Sequence, residues 1–425
     1  MMKKRNTEFF PDELQNKLRA QFYYLNDDIN GNRRIFFENA GGALRLKSTL
    51  EKYGEISMIP DSPVRDYDIA QKINQDITDG KEDIRLLLNA EGGEIAISLT
   101  ASKIIFEMIT VAAMDLPKGN IVTTAIEHPS SYDACEFSSQ QYGHELRVAE
   151  ADHSTGSVFL EELLSHIDDD TRIVSLILTS NITGAMHDLE KYTKAIHEKN
   201  SEAIIIVDAV QGAPHELIDL DRCHVDGINL APYKMFGLRG VGFAWLSDRL
   251  ARLPHHRLLA TDETNWDLGS ATPAHYASFT KIIDYICEIG FYFNESSDRR
   301  TLIEEGMTRI TLQEQAILNQ LLNGSESIKG TKELNNVTIH FEDANGVNQD
   351  LILAMTFSNL SNKRAVEIYK ENNIQVFARE ASSHYSKRIL EAVGLKSLVR
   401  VSPVHIHNAD DVDEFLRVTK MIDEM

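Results

Sequence analysis

The chain has 425 residues, enough for two domains with a large core and no need of covalent staples. Its formal charge of −22 opposes a phosphate backbone, so the composition excludes a non-specific nucleic-acid binder. Three cysteines, none in a Cys-x-x-Cys pair, offer neither a disulfide framework nor a zinc ribbon, and no apolar run reaches the roughly 18 residues of a membrane span. The basic start, Met1 to Glu8, lacks the apolar stretch of a secretory signal. A cytoplasmic enzyme without a metal centre is the expectation.

Residues 8–30 read as a helical lead-in, with Phe9, Leu14, Leu18 and Phe22 at mostly helical spacing. From about 35 to 250, strand-like and helix-like stretches alternate. Strands are expected at 120–126, 145–151, 172–180, 203–210 and 240–246, with helices at 101–113, 130–142, 160–167 and 189–199. The third and fourth strands are near-continuous Val, Ile and Leu, as suits strands buried on both faces. This alternation predicts an α/β domain around a mostly parallel sheet. Beyond about 275 the pattern changes. A long helical region over 275–322 precedes short strands at 336–341, 352–358, 374–379 and 398–402. Helices fall near 363–372 and 383–393 and from about 410, so a smaller α+β domain is expected. The division reads as a lead-in at 1–30 packing with the small domain, a large domain at 31–285 and a small one at 286–425.

Two stretches carry chemistry. Ile204-Ile205-Ile206-Val207-Asp208 ends an apolar strand on a carboxylate, at the sheet edge where open α/β folds bind ligands. Alone, that Asp serves equally well as a cap for the next helix. About two dozen residues on, Lys234 is followed by Gly237, Gly240 and Gly242. A lysine at a glycine turn is weak by itself; the order strand–Asp, Lys, glycines is much stronger.

That order resembles the class V aminotransferases, the group that includes cysteine desulfurases and isopenicillin-N epimerase. The resemblance extends over six segments in order: Phe36–Gly42, Glu127–Ser131, Thr179–Gly184, Asp208–Asp219, Leu268–Pro273 and Val399–Ser402. It implies a fold-type I enzyme dependent on pyridoxal 5'-phosphate (PLP) and acting on an amino-acid substrate. It further implies that Lys234 forms the Schiff base and moves the Cα proton, and that Asp208 faces the pyridine nitrogen. His128 stacks on the ring, Gln211 meets the phenolic oxygen, and Asn181 contacts that oxygen or the substrate carboxylate. Asn39, Arg379 and Arg400 are expected at the substrate, Arg400 as a fork for its carboxylate. The phosphate falls to Thr100, Ala101 and Ser102 at a helix start, with Tyr233 beside them. Ser270 or Thr272 is expected to reach the neighbouring subunit's phosphate, making a homodimer with shared active sites.

Two departures matter. The family's Ser-x-His-Lys is here Ala231-Pro232-Tyr233-Lys234, which thins the phosphate site. The desulfurase loop that carries a nucleophilic Cys is here Phe377–Ser386, with no Cys. A hydroxyl cannot replace a thiol as a persulfide carrier. The expected activity is therefore aminotransfer or β-elimination, with epimerisation behind and a non-catalytic PLP-fold binding protein as the rival. Arg379, His384 and Tyr385 on that loop serve either as specificity contacts or as ordinary surface residues.

Overall fold

The computed structural model describes residues 8–269, 272–342 and 349–425. A seven-stranded sheet is built from β1 (Glu94–Ser98), β2 (Asn120–Thr124), β3 (Glu145–Ala149), β4 (Thr171–Ile177), β5 (Ile204–Asp208), β6 (Gly227–Leu230) and β7 (Gly242–Leu246). The spatial order is β1-β7-β6-β5-β4-β2-β3. Only β7 runs antiparallel to its neighbours; the others pair in parallel, with Leu176 opposite Val207 and Val207 opposite Ile228. The unbroken apolar run of β5 has a direct cause. Ile205 and Val207 enter one core, while Ile204 and Ile206 enter another on the opposite face. A strand covered on both faces has no solvent side on which to place polar residues.

Helices Ala101–Asp115 and Pro129–Tyr142 cover the second of these faces through Ile104, Ile105, Met108, Ala134 and Cys135. Leu189–Lys199 covers the first through Leu189, Tyr192 and Ile196. A second, antiparallel sheet has the order β8-β9-β11-β10, from β8 (Val337–His340), β9 (Leu353–Phe357), β10 (Phe377–Glu380) and β11 (Ser397–Val401). It packs on Asn362–Glu371 and Ala409–Asp423, where the Tyr369 and Phe415 rings stack at 5.1 Å. The last helix opens with a capping box between Asn408 and Asp411. The helix Arg299–Asn323 joins the two cores, giving Ile303, Met307 and Ile310 to one and Ile317 and Leu321 to the other.

Several expected elements differ. The lead-in is helical only over Asp12–Arg19, and Phe22-Tyr23 instead pairs with Arg45-Leu46. The long helical region is two helices, Pro273–Phe293 and Arg299–Asn323, the second opened by an Asp298 cap. The division expected near 285 falls inside the first of them. The stretch 374–379 is split: Ile374-Gln375 pairs with Ile35-Phe36, and β10 pairs with β11. The helix expected at 383–393 spans only Lys387–Ala392. Strands β1 and β6 were not expected. β6 is four residues long and includes an Asn, so its sequence has too little apolar pattern to read.

Candidate active site

Asp208, His128, Asn181 and Lys234 converge at the carboxyl ends of β2, β4 and β5, on a cavity of about 300 Å³. The lysine arrives on a tight turn. Pro232–Lys234 forms one turn of 3-10 helix, and Phe236 follows with a left-handed φ of 68°. Such a conformation is strained for a bulky residue. The Phe236 ring holds it, packing edge-on against Phe22 at 5.5 Å and His405 at 5.1 Å.

Lys234 is 7% exposed. Burial pushes its amine down to about 7, helped by the charges of Arg400 and Arg379 and opposed by Glu38 and Asp208. The Nζ donates to the Ala40 carbonyl and, at 3.3 Å, to Gln211 Oε1. Asp208, 3% exposed, closes β5 and faces the same space. Burial pushes its carboxyl up to about 6, while the Val210 N–H at 3.1 Å and Lys234 pull it back. His128 caps Pro129–Tyr142, its Nδ1 accepting from the Ser130 N–H at 3.2 Å. Burial, then Lys234, Arg379 and Arg388, push the imidazole down to about 4, so the ring is a neutral plate at neutral pH. Arg388 anchors this segment by donating to the Ala125 and Glu127 carbonyls.

At the other end of the cavity lies the start of the helix Ala101–Asp115. The Thr100 hydroxyl accepts from the Lys103 N–H at 3.0 Å, leaving the N–H groups of Ala101 and Ser102 without partners within the helix. Gly242 lets β7 abut this start, since a Cβ there would lie 2.2 Å from the Ala101 nitrogen. Tyr233 lines the cavity, and the Arg239 guanidinium lies over its ring at 4.5 Å.

These residues fit PLP. A buried carboxylate faces a buried amine, a neutral flat ring stands beside them, and a helix N-terminus suited to an anion closes the far end. The buried oxygens Asn181 Oδ1 and Asn229 Oδ1 have no protein partner, and both residues line the cavity.

Of the residues expected from sequence, Thr100, Ala101, Ser102, His128, Asn181, Asp208, Gln211, Tyr233 and Lys234 line this cavity. Asn39 does not: its amide donates to the Phe36 and Ser402 carbonyls and its oxygen accepts from the Leu44 N–H. Arg400 is fully buried beside the cavity rather than free within it. Its Nη2 pairs with Glu38 at 2.6 Å and its Nη1 donates to the Asn181 carbonyl at 2.7 Å. A substrate carboxylate would have to compete with Glu38 for this fork. Arg379 is pushed down to about 9 by burial and by Arg400, and its Nε is buried without a partner. Thr272 lines an adjacent groove, and Ser270 lies outside the described residues. Sequence reasoning missed Asn229, Ser130 and Arg239 in the lining. The Gly-rich turn after Lys234 was the available signal for Arg239. Glu38 carried no signal apart from its place beside Asn39.

The family model for class-V aminotransferases matches residues 35–415. A probable cysteine desulfurase 1 of Mycobacterium leprae is 22% identical over 96% of this chain and 65% of its own length. A probable cysteine desulfurase of Mycolicibacterium paratuberculosis is 21% identical over 96% of this chain and 58% of its own. The chain thus spans about 60% of the length of these mycobacterial relatives. A cysteine desulfurase of Yersinia pseudotuberculosis is 21% identical over 66% of this chain and 73% of its own length. Among solved structures, the cysteine desulfurase of Thermococcus onnurineus superposes with a TM-score of 0.80 at 17% identity, covering 98% of this chain and 99% of that one. The Escherichia coli cysteine desulfurase CsdA gives 0.79 at 18%, over 98% and 99%. Both share the fold of this chain, that of fold-type I PLP enzymes. The family match over nearly the whole chain agrees with the cavity's chemistry: the protein belongs to the class-V aminotransferase family, whose members are PLP-dependent enzymes.

Proposed function

We propose that the chain is a lyase acting at Cα of an amino acid, expelling a β-substituent such as a thiol without storing sulfur on the protein. The observation that carries this reading is the buried Lys234 amine opposite the buried Asp208 carboxylate, combined with a loop, Arg379–Ser386, that contains no thiol. When bound, PLP supplies the electron sink. Lys234 holds it covalently, and an amine near neutral pKa is suited both to take and to return the Cα proton. Asp208 holds the proton of the pyridine nitrogen. His128 would stay uncharged and offer its ring to the cofactor. The N–H groups at Ala101 and Ser102 hold the phosphate. Arg400 and Arg379 supply the positive field for the substrate carboxylate.

The three cysteines support elimination over sulfur storage. Burial pushes Cys135 up to about 12 and Cys223 and Cys287 up to about 11, so none is a ready thiolate. A homodimer completes the reading. A groove lined by Leu99, Phe106, Met114, Leu268 and Thr272 shares Ser102, Gly240 and Val241 with the cofactor cavity. Leu99 and Leu268 are 71% and 67% exposed, a surface suited to a second copy.

Incubation with cysteine tests the reaction through its carbon product. Elimination gives pyruvate, ammonia and sulfide. Alanine with protein-bound sulfur would overturn the reading. Keto acid formed only with an amino-group acceptor would move it to aminotransfer.

A further inference from the structure

Outside the cofactor cavity lies a second buried cluster that the proposed chemistry does not use. His215 follows β5, Glu314 sits on the helix Arg299–Asn323, and Asp350 stands just ahead of β9. Each is no more than 6% exposed, and one polar atom from each falls within 4.8 Å of the others. His215 Nδ1 lies 2.9 Å from Glu314 Oε2 and 3.7 Å from Asp350 Oδ1. Nitrogen and oxygen donors at about 2.0–2.2 Å from one zinc ion stand about 2.9–3.5 Å from each other, so these atoms already lie near the corners of one coordination shell.

Two further observations point to a cation. The charges do not balance: two carboxylates share one imidazole, and among the described residues no Lys or Arg nitrogen lies within 4.0 Å of either. A surplus anion in the interior needs a positive partner. The second is His405, which is 0% exposed. Its Nδ1 lies 3.7 Å from Glu314 Oε1 and has no hydrogen-bond partner, while its Nε2 meets the Tyr285 hydroxyl at 2.7 Å. Outer contacts hold the carboxylates in place. Asp350 accepts from the Leu351 N–H at 2.7 Å and the Gln211 amide at 3.2 Å, and Glu314 accepts from the His405 N–H at 3.1 Å. An adjoining cavity of about 130 Å³, lined also by Thr311, Gln315 and Gln349, has room for water.

We infer that His215, Glu314 and Asp350 form a site for a divalent cation of the zinc class, with water from the adjoining cavity completing the shell. Imidazole and carboxylate donors without a thiol suit Zn2+ or Mn2+. On binding, the Nδ1–H of His215 gives its proton to solvent, that nitrogen's lone pair goes to the metal, and both carboxylates bind as anions. The ion ties together the segment after β5, the helix that joins the two cores and the entry to the second sheet. The site departs from the expectation of an enzyme without a metal centre because its ligands lie too far apart in the chain to form a motif.

Zn2+ is the probe that tests it. Equilibrium dialysis of the full-length protein after chelator treatment should find one tightly held Zn2+ per chain, and Zn2+ should raise the midpoint of thermal unfolding. Glu314→Gln and Asp350→Asn keep the side-chain shape and remove the charge. Each should abolish that rise and weaken binding by more than about 100-fold, above the roughly 10- to 100-fold that loss of an outer contact costs. His197→Ala, which breaks the stacked surface pair of His197 and His224 at 4.1 Å, should change neither readout. Zinc X-ray absorption on the wild-type protein guards against variants that fail to fold; the expected shell is nitrogen and oxygen with imidazole. A chain that holds no Zn2+, zinc that survives Glu314→Gln or leaves with His197→Ala, or a sulfur ligand would each overturn the assignment. None of these readouts depends on PLP, so the functional reading stands or falls separately.

Discussion

Lys234 shows how much a single side chain depends on its surroundings. Its ordinary value of 10.5 falls to about 7 because burial and two arginines oppose the ammonium. Below about 7 the amine is protonated and cannot attack a carbonyl. The rate at which the apoprotein couples PLP should therefore rise with pH and level off above about 7, as followed by the cofactor's visible absorption. A midpoint near that of a free lysine would contradict the account. Stability follows the same shift. Between about 7 and 10.5 the unfolded chain holds the proton that the folded chain has released, so this residue's contribution makes the apoprotein more stable as pH rises through that window. Lys234→Met should remove that part of the pH dependence in denaturant unfolding. Asp208 acts on the opposite charge. Asp208→Asn should keep the fold and lower kcat by a factor of about 100 or more, or ~3 kcal/mol in the barrier. Near-normal turnover would reduce Asp208 to a cap for the turn at Val210. These two residues were legible in the sequence because an apolar strand ending in Asp, then a Lys before glycines, is an order that few other requirements produce. Arg400 was legible only as a residue; its pairing with Glu38 depends on a bridge between chain segments more than 350 residues apart.

At the scale of elements, the end of the site proposed to take the phosphate is a contact between a helix and a strand. The start of Ala101–Asp115 sits against Gly242 with no room for a Cβ. Gly242→Ala should force β7 away from the helix start and disturb the N–H groups there. The expected result is a larger loss in affinity for PLP than for unphosphorylated pyridoxal, compared by equilibrium binding. Equal losses would place the phosphate elsewhere. Thr100→Ala, which removes the helix cap, should cost about 1 kcal/mol in unfolding free energy. The helix start was readable from Ser98-Leu99-Thr100 before an apolar run. The partner strands were not all readable. β6 has four residues, and β1, Glu94-Ile95-Ala96-Ile97-Ser98, follows Gly92-Gly93 without a strong alternation. The cluster of His215, Glu314 and Asp350 is a harder case. Its members lie up to 135 residues apart, and only the packing of Arg299–Asn323 across both cores brings Glu314 beside His215.

At the scale of the molecule, the class of fold and its large parallel sheet followed from the alternation of strands and helices over 35–250, and the smaller α+β part from the change in texture near residue 275. The helix that joins the two cores did not, because its apolar face serves each core with a different stretch and yields no single clean stripe. The exposed groove beside the cofactor cavity predicts a dimer of about twice the chain mass in light scattering. An active, stable monomer would contradict the shared-site arrangement. The central claim is that Lys234, facing Asp208, is where this enzyme holds PLP. Borohydride reduction of the holoenzyme followed by peptide mapping tests it most directly. The account predicts a pyridoxyl label on Lys234, absent from the Lys234→Ala protein; a label on any other lysine would contradict it.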